Sequence, residues 1–176
     1  MPAFTVRYRP AAGAEQRSSL EDRAHASGGT VTWTHSDEYD RSYALVEGTS
    51  APLDISGATV FETPLIALAI RPNAAEALPL LEHALGGPGR PAGMESVERA
   101  DGALIVEWNL DVTPAGTVLA IVDVELARFH ASRVTALLTP LPLAWWTAIA
   151  REGLAAPEIA PDRVLEALIE KHHVVS

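Results

Sequence analysis

The residues best suited to chemistry lie between positions 104 and 126. Leu104, Val106, Trp108 and Leu110 alternate with Ile105, Glu107 and Asn109, and Val118, Ala120, Val122, Val124 and Leu126 alternate with Leu119, Ile121, Asp123 and Glu125. A period of two predicts the strands of a hairpin, 104–110 and 117–126, around a turn at 111–116. A one-residue slip would exchange the two faces, so matching the apolar sides gathers Glu107, Asn109, Asp123 and Glu125 on the other side. Three carboxylates and an amide on a half-apolar surface can bind a hard cation. They can also hold one carboxyl protonated for general acid/base work, because desolvation and like charge both disfavour ionisation. Glu107 and Asp123 are the catalytic candidates here, and Asn109 and Glu125 the candidates for a ligand or partner surface. The plainer alternative is the solvated face of an outer hairpin.

A second concentration is His35-Ser36-Asp37-Glu38-Tyr39-Asp40. His35 with Asp37 would make an acid/base pair, and the loop as a whole a metal site. It lacks the sixth-position Gly and twelfth-position Glu of an EF-hand, and Ser and Asp favour turns for backbone reasons alone. His130, after Phe129 at an expected strand–helix junction, is the isolated His best placed for a cleft. His25 and His83 sit where helices are expected to end, which suits an imidazolium. His172 and His173 are adjacent and cannot share one helix face. Trp145 and Trp146 point about 100° apart on a helix, so one is free to line a pocket or an interface while the other enters the core.

Several signatures are absent. Gly86-Gly87-Pro88-Gly89 is not followed by the Lys-Ser/Thr of a phosphate loop, and there is no G-x-G-x-x-G, G-x-S-x-G or H-E-x-x-H. No cofactor and no metal are expected on these grounds.

The elements that must position these residues read as follows. Phe4–Arg9 is a strand stopped by Pro10, Ala14–Ala26 a weakly amphipathic helix ended by Gly28-Gly29, and Thr30–Thr34 with Ser42–Glu47 a hairpin. Gly48–Gly57 is loop. Ala58–Ile70 is extended with a break at Pro64, and its second half is apolar on both sides, as in a central strand. Asn73–Leu85 is a helix capped by Asn73, with Pro79 as a kink. Residues 86–93 form the one linker-like stretch, a boundary or a loop over a site. After the predicted second hairpin come helices at 132–138, 142–151 and 161–173. The order predicts an α+β fold of ferredoxin-like (split β-α-β) plan, one mixed or antiparallel sheet of five to six strands with helices on one face and a C-terminal helical cap. Leu68–Leu85 and Leu126–Leu143 resemble each other too sparsely to establish a duplication.

Composition sets the outer limits. The chain has 176 residues, 48 % of them hydrophobic and 20 % charged, the proportions of a folded globular protein. One domain is expected. With no Cys, thiolate catalysis, iron–sulfur clusters and Cys-based zinc sites are excluded. A formal charge of −10, with Lys171 the only Lys among 13 basic residues, argues against nucleic acid. No apolar run is long enough to cross a bilayer, and the N-terminus does not read as a secretory signal, so a cytoplasmic protein is expected. Two functional classes follow. The favoured one is a homo-oligomeric module that binds a protein or a small ligand. The alternative is a small cofactor-independent isomerase, cyclase or lyase whose acid/base groups come from Glu107, Asp123, His35, Asp37 or His130.

Overall fold

The computed structural model describes residues 2–52 and 55–145. The chain divides into two compact units, Met1–Ile66 with Leu138–Pro142, and Ala67–Leu137 with the remainder.

The first unit contains β1 (Ala3–Tyr8), α1 (Ala14–Ala26), β2 (Thr30–Ser36), β3 (Arg41–Glu47) and β4 (Ala58–Phe61). Its sheet has the order β2-β3-β1-β4, each neighbour antiparallel to the next. The alternation read in β1 places Phe4, Val6 and Tyr8 together with Ala44 and Val46 of β3 in one core, covered by Leu20 and Ala24 of α1. Helix α1 starts where Gln16 Oε1 accepts the Gly13 N–H at 3.0 Å. It stops where Gly28 adopts φ +80°, a conformation that costs glycine little, with the Ser27 and Gly28 N–H groups closing on the Ala24 and His25 carbonyls.

The second unit contains β5 (Ile66–Pro72), a short 3-10 turn (Ala75–Ala77), α2 (Leu78–Gly86), β6 (Met94–Ala100), β7 (Ala103–Trp108), α3 (Ala115–Ala127) and β8 (Arg133–Leu137). Its sheet has the order β6-β7-β5-β8. Both sheets are antiparallel. The protein is therefore α+β, but with two four-stranded sheets in place of the single sheet of five to six strands expected. The extended stretch around Pro64 supplies a strand to each: β4 before the break and β5 after it.

Other expectations are corrected. The stretch 115–127 is a helix, not the second strand of a hairpin. Its buried residues Ala115, Val118, Leu119, Val122 and Leu126 recur at helical spacing, so the same apolar positions satisfied both periods. Residues 133–137 are a strand, not a helix, because the β-branched run pairs with β5, Leu68 opposite Leu137 through Pro72 opposite Arg133. The real second hairpin is β6–β7, and it turns on Asp101-Gly102, both at positive φ, as a two-residue hairpin loop requires. In α2, Pro79 sits in the first turn, where its missing N–H costs nothing. Asn73 does not cap: its side chain accepts from Ser132 N at 3.0 Å and its own N–H donates to Ser132 O, tying the end of β5 to the start of β8. Residues 87–93 join α2 to β6 within the second unit. The helix expected at 142–151 is helical at 143–145. The rest of it, the helix expected at 161–173 and the His172–His173 pair lie outside the described residues.

The two units share one strand order but differ in one connection. In each, the first strand is internal, the hairpin's second strand lies on one side of it and the fourth strand on the other. In the second unit, residues 109–132 join β7 to β8 and contain α3. In the first, only residues 48–57 join β3 to β4, and none of the described residues among them is helical.

One buried hydrogen bond fastens the start of the second extended segment to β1: Thr5 Oγ1 accepts the Leu65 N–H at 2.9 Å, with both residues 1 % exposed. Thr5→Val keeps the shape and leaves a buried N–H unpaired. It should destabilise the protein by about 1–3 kcal/mol in denaturant unfolding, whereas Thr5→Ser should recover most of the loss.

Candidate functional site

Helix α1 covers a face of the first sheet whose rows are set by strand register. One row is Tyr8–Ser42–His35, the next Val6–Ala44–Trp33, the third Phe4–Val46–Val31. The middle strand carries Ser42 and Ala44, so the larger side chains on either side can meet above it. The Tyr8 and Trp33 rings are 5.7 Å apart, and Trp33 stacks on His35 at 5.6 Å with 15° between the planes. Trp33 Nε1 donates to Glu21 of α1 at 2.9 Å. Ser42 Oγ lies 2.8 Å from His35 Nδ1 and accepts the Ala12 N–H at 3.0 Å. Two polar atoms are buried with no partner among the described residues, the Tyr8 hydroxyl of this face and Arg17 Nε of α1. Burial pushes the Tyr8 phenol above its ordinary pKa, against a smaller opposing effect of the Arg23 charge.

The second unit provides an internal comparison. Counting pairs outward from the hairpin turn, the second and fourth are His35–Ser42 and Trp33–Ala44 in the first unit, and Arg99–Leu104 and Val97–Val106 in the second. Leu104 and Val106 stand where Ser42 and Ala44 leave room. There the helix-covered face is plain packing: α2 buries Leu78, Leu81 and Leu85, and its Glu82 pairs with Arg99 at 3.2 Å. Trp108 of β7 follows Leu104 and Val106 on that side, fully buried with its Nε1 donating to the Thr113 carbonyl at 2.8 Å, so what distinguishes the first unit is the Tyr8–Trp33–His35 stack over small residues.

Beside them lies a cavity of about 120 Å³. Phe4, Leu20, Ala24 and Val46, all at most 3 % exposed, form its floor. Pro52 and Thr49 flank it, and Arg23, Ser27 and Ser50, all exposed, form its mouth. The cavity has a clear origin in the chain: it lies between α1 and the start of the short β3–β4 connection, where the second unit has α3 beside α2. Thr49 reaches this position because Gly29 has no side chain. A Cβ there would meet the Glu47 carbonyl oxygen at 2.8 Å and Thr49 Cγ2 at 3.0 Å.

The predicted candidates are dispersed by the fold. Glu107 is on β7, 1 % exposed, while Asp123 and Glu125 are on α3, so the acidic hairpin face does not exist. Asp123 is held by Arg133 of β8 at 2.8 and 3.3 Å. Glu125 pairs with Arg128 at 3.5 Å. Asn109 builds a turn: its side chain accepts the Asp111 N–H at 2.9 Å and its carbonyl accepts from Val112 and Thr113. His130 is not at a strand–helix junction but just beyond α3, exposed, at φ +49°. His35 bonds Ser42 instead of Asp37, which is exposed in the β2–β3 turn. Trp145 donates to Asp111 at 2.9 Å, and Trp146 lies outside the described residues. Among the described residues no three His, Asp or Glu side chains are grouped to hold a metal ion, and no helix is long and apolar enough to cross a membrane.

Of the residues that make this site, only His35 was anticipated. Tyr8, Trp33, Ser42 and Phe4 read as strand positions, and nothing in their spacing marks them. A visible signal was the pair Ser42 and Ala44, small residues opposite Trp33 and His35 in a hairpin that was correctly placed.

Compared with known proteins, the chain matches no family model and no curated protein.

Replacing Tyr8 by Phe removes a hydroxyl that has no partner among the described residues. The variant should be as stable as the wild type or more stable, by up to about 1 kcal/mol. The folded phenol has the raised pKa, so its contribution is intact below the unfolded value of about 10 and is lost as pH rises through the folded value. Stability measured from pH 9 upward should therefore fall more steeply in the wild type than in Tyr8→Phe.

Proposed function

We propose that the protein is a small-ligand-binding module, and that the ligand sits in the first unit beneath α1. The observation that carries this reading is the cavity between α1 and residues 49–52. It has a buried apolar floor and an exposed polar mouth, the composition of a ligand site. Its position favours function over poor packing. The second unit joins its corresponding strands through a helix of 13 residues, whereas the first joins them through residues 48–57, none of whose described residues is helical. We read each unit as a variant of the ferredoxin-like plan: the second complete, β-α-β-β-α-β, the first with its second helix exchanged for the cavity-forming loop.

The size of the cavity limits the ligand. A water molecule takes about 30 Å³ of liquid, and an apolar cavity of about 150 Å³ accepts benzene. The occupant therefore has roughly six non-hydrogen atoms, or is the buried end of something longer.

A further observation favours a second reading, a cofactor-independent enzyme. The exposed His35 ring is held at Nδ1 by the buried Ser42 hydroxyl, which leaves Nε2 available for proton transfer. Ser42 itself is 0 % exposed and is no nucleophile.

A panel of small metabolites should contain compounds that raise the melting temperature. Saturation at a hundred times Kd adds about 2.7 kcal/mol, which is several degrees for a chain of this size. Ala24→Leu fills the cavity and should abolish every such shift while leaving the protein folded. If the shifts survive Ala24→Leu, the ligand is elsewhere. His35→Gln should leave binding at the cavity intact, and a loss of turnover of any bound compound in that variant would establish the enzyme reading.

A further inference from the structure

We infer that the cavity beneath α1 takes an uncharged hydrocarbon end of about five carbons, its inner methyl on the apolar floor and its outer end in the water at the mouth. This inference rests on the small-ligand reading above and adds the chemical class.

The floor determines the inner end of the ligand. The side chains of Phe4, Leu20, Ala24 and Val46 offer hydrocarbon alone, and all four are buried. A hydroxyl, an amide or a charge placed among them would lose its water without gaining a partner, so the inner end is hydrocarbon. Each methylene that leaves water for such a floor raises the affinity about fourfold, the equivalent of about 0.8 kcal/mol. The size of the cavity ends that gain at about six non-hydrogen atoms.

The mouth gives no reason for a charge. Arg23 already interacts within the protein. The carbonyls that end α1 are engaged as well: Ala24 O accepts from the Ser27 and Gly29 N–H groups, and His25 O from Gly28. An anion would meet the negative end of the helix without a guanidinium set aside for it, and a cation would find these carbonyls already bonded. A neutral ligand needs neither. Arg23, Ser27 and Ser50 are exposed, so a hydroxyl at the outer end of the ligand keeps its water. Recognition is then by volume and apolarity, and not by charge.

The test uses the full chain and the primary alcohols from 1-propanol to 1-octanol, with 1,4-butanediol set against 1-pentanol. These two have equal numbers of non-hydrogen atoms and differ in one terminal group, a methyl replaced by a hydroxyl. Titration calorimetry, with thermal shift at equal millimolar concentrations, should show 1-pentanol binding at least about tenfold more tightly than the diol. Affinity should rise about fourfold per methylene from 1-propanol to 1-pentanol and no further beyond it. A level affinity out to 1-octanol assigns the site to the tail of a longer molecule, which leaves by the mouth; a falling one assigns it to a free small molecule. Butyrate and butylammonium should each bind no more tightly than 1-butanol. Equal affinity for 1-pentanol and the diol, a steady rise through 1-octanol, or a charged analogue bound more tightly than 1-butanol overturns the hydrocarbon inference. If Ala24→Leu abolishes the shifts of the wider metabolite panel, the pocket stands without that inference. Binding of no alcohol, in a wild-type protein that melts cooperatively, also overturns it; if Ala24→Leu then leaves the shifts of the panel unchanged, the pocket reading falls with it.

Discussion

The first unit is governed by how its chain must pass from β3 to β4. Both strands pair antiparallel with β1, one on each side, so they run parallel to each other. Parallel strands need a connection that travels the length of the sheet, normally a dozen residues or more and usually a helix. Only residues 48–57 are available, and they are spent on the crossing itself. They begin with the Gly48 N–H bonded to the Pro2 carbonyl at 2.8 Å and end with the Ala58 N–H bonded to Ile55. A loop fixed at both ends can lay Ala51 and Ile55 against the core. It cannot match the area that a three-turn helix covers. The cavity lies against its described residues Thr49, Ser50 and Pro52.

The face under α1 is built around the same shortage of bulk. Strand β3 presents Ser42 and Ala44, and the aromatic side chains on its two neighbouring strands close over them. This arrangement requires polar atoms to be buried. Ser42 satisfies two neighbours at once, the Ala12 N–H and His35, and Glu21 satisfies Trp33. The Tyr8 hydroxyl is left without a partner among the described residues, an unfavourable burial. Two units with one strand order thus pack differently: in the second, Leu104 and Val106 stand at the positions where Ser42 and Ala44 leave room in the first.

Charge contributes locally. The ion pairs in the second unit fasten elements that sequence separates: Arg133 of β8 to Asp123 of α3, and Arg99 of β6 to Glu82 of α2. Carboxylates that look catalytic when counted along the chain are, in the fold, the anchors of its outer elements.

Local chemistry sufficed for much of the first unit. Alternation in Phe4, Val6 and Tyr8 placed β1, Pro10 ended it, Gly28-Gly29 ended α1, and the apolar stretches around residues 35–40 formed a hairpin. Each of these depends on residues a few positions apart. The segment 115–127 could not be read in this way, because its apolar positions satisfy a period of two and a period of 3.6 alike. What decides between them is burial against α2 and its neighbours, a contact the linear pattern does not contain. Asp101-Gly102 was a legible turn, and recognising it would have moved the hairpin to β6–β7 and freed 115–127 to be helix. Sequence alone also determined the absence of thiol chemistry, the acidic charge and the lack of known cofactor motifs. The division into two sheets, the cavity and the unpaired Tyr8 hydroxyl were decided only by tertiary structure. They depend on which strands become neighbours and on how far a short connection must reach, and both are set by contacts between residues distant in the chain.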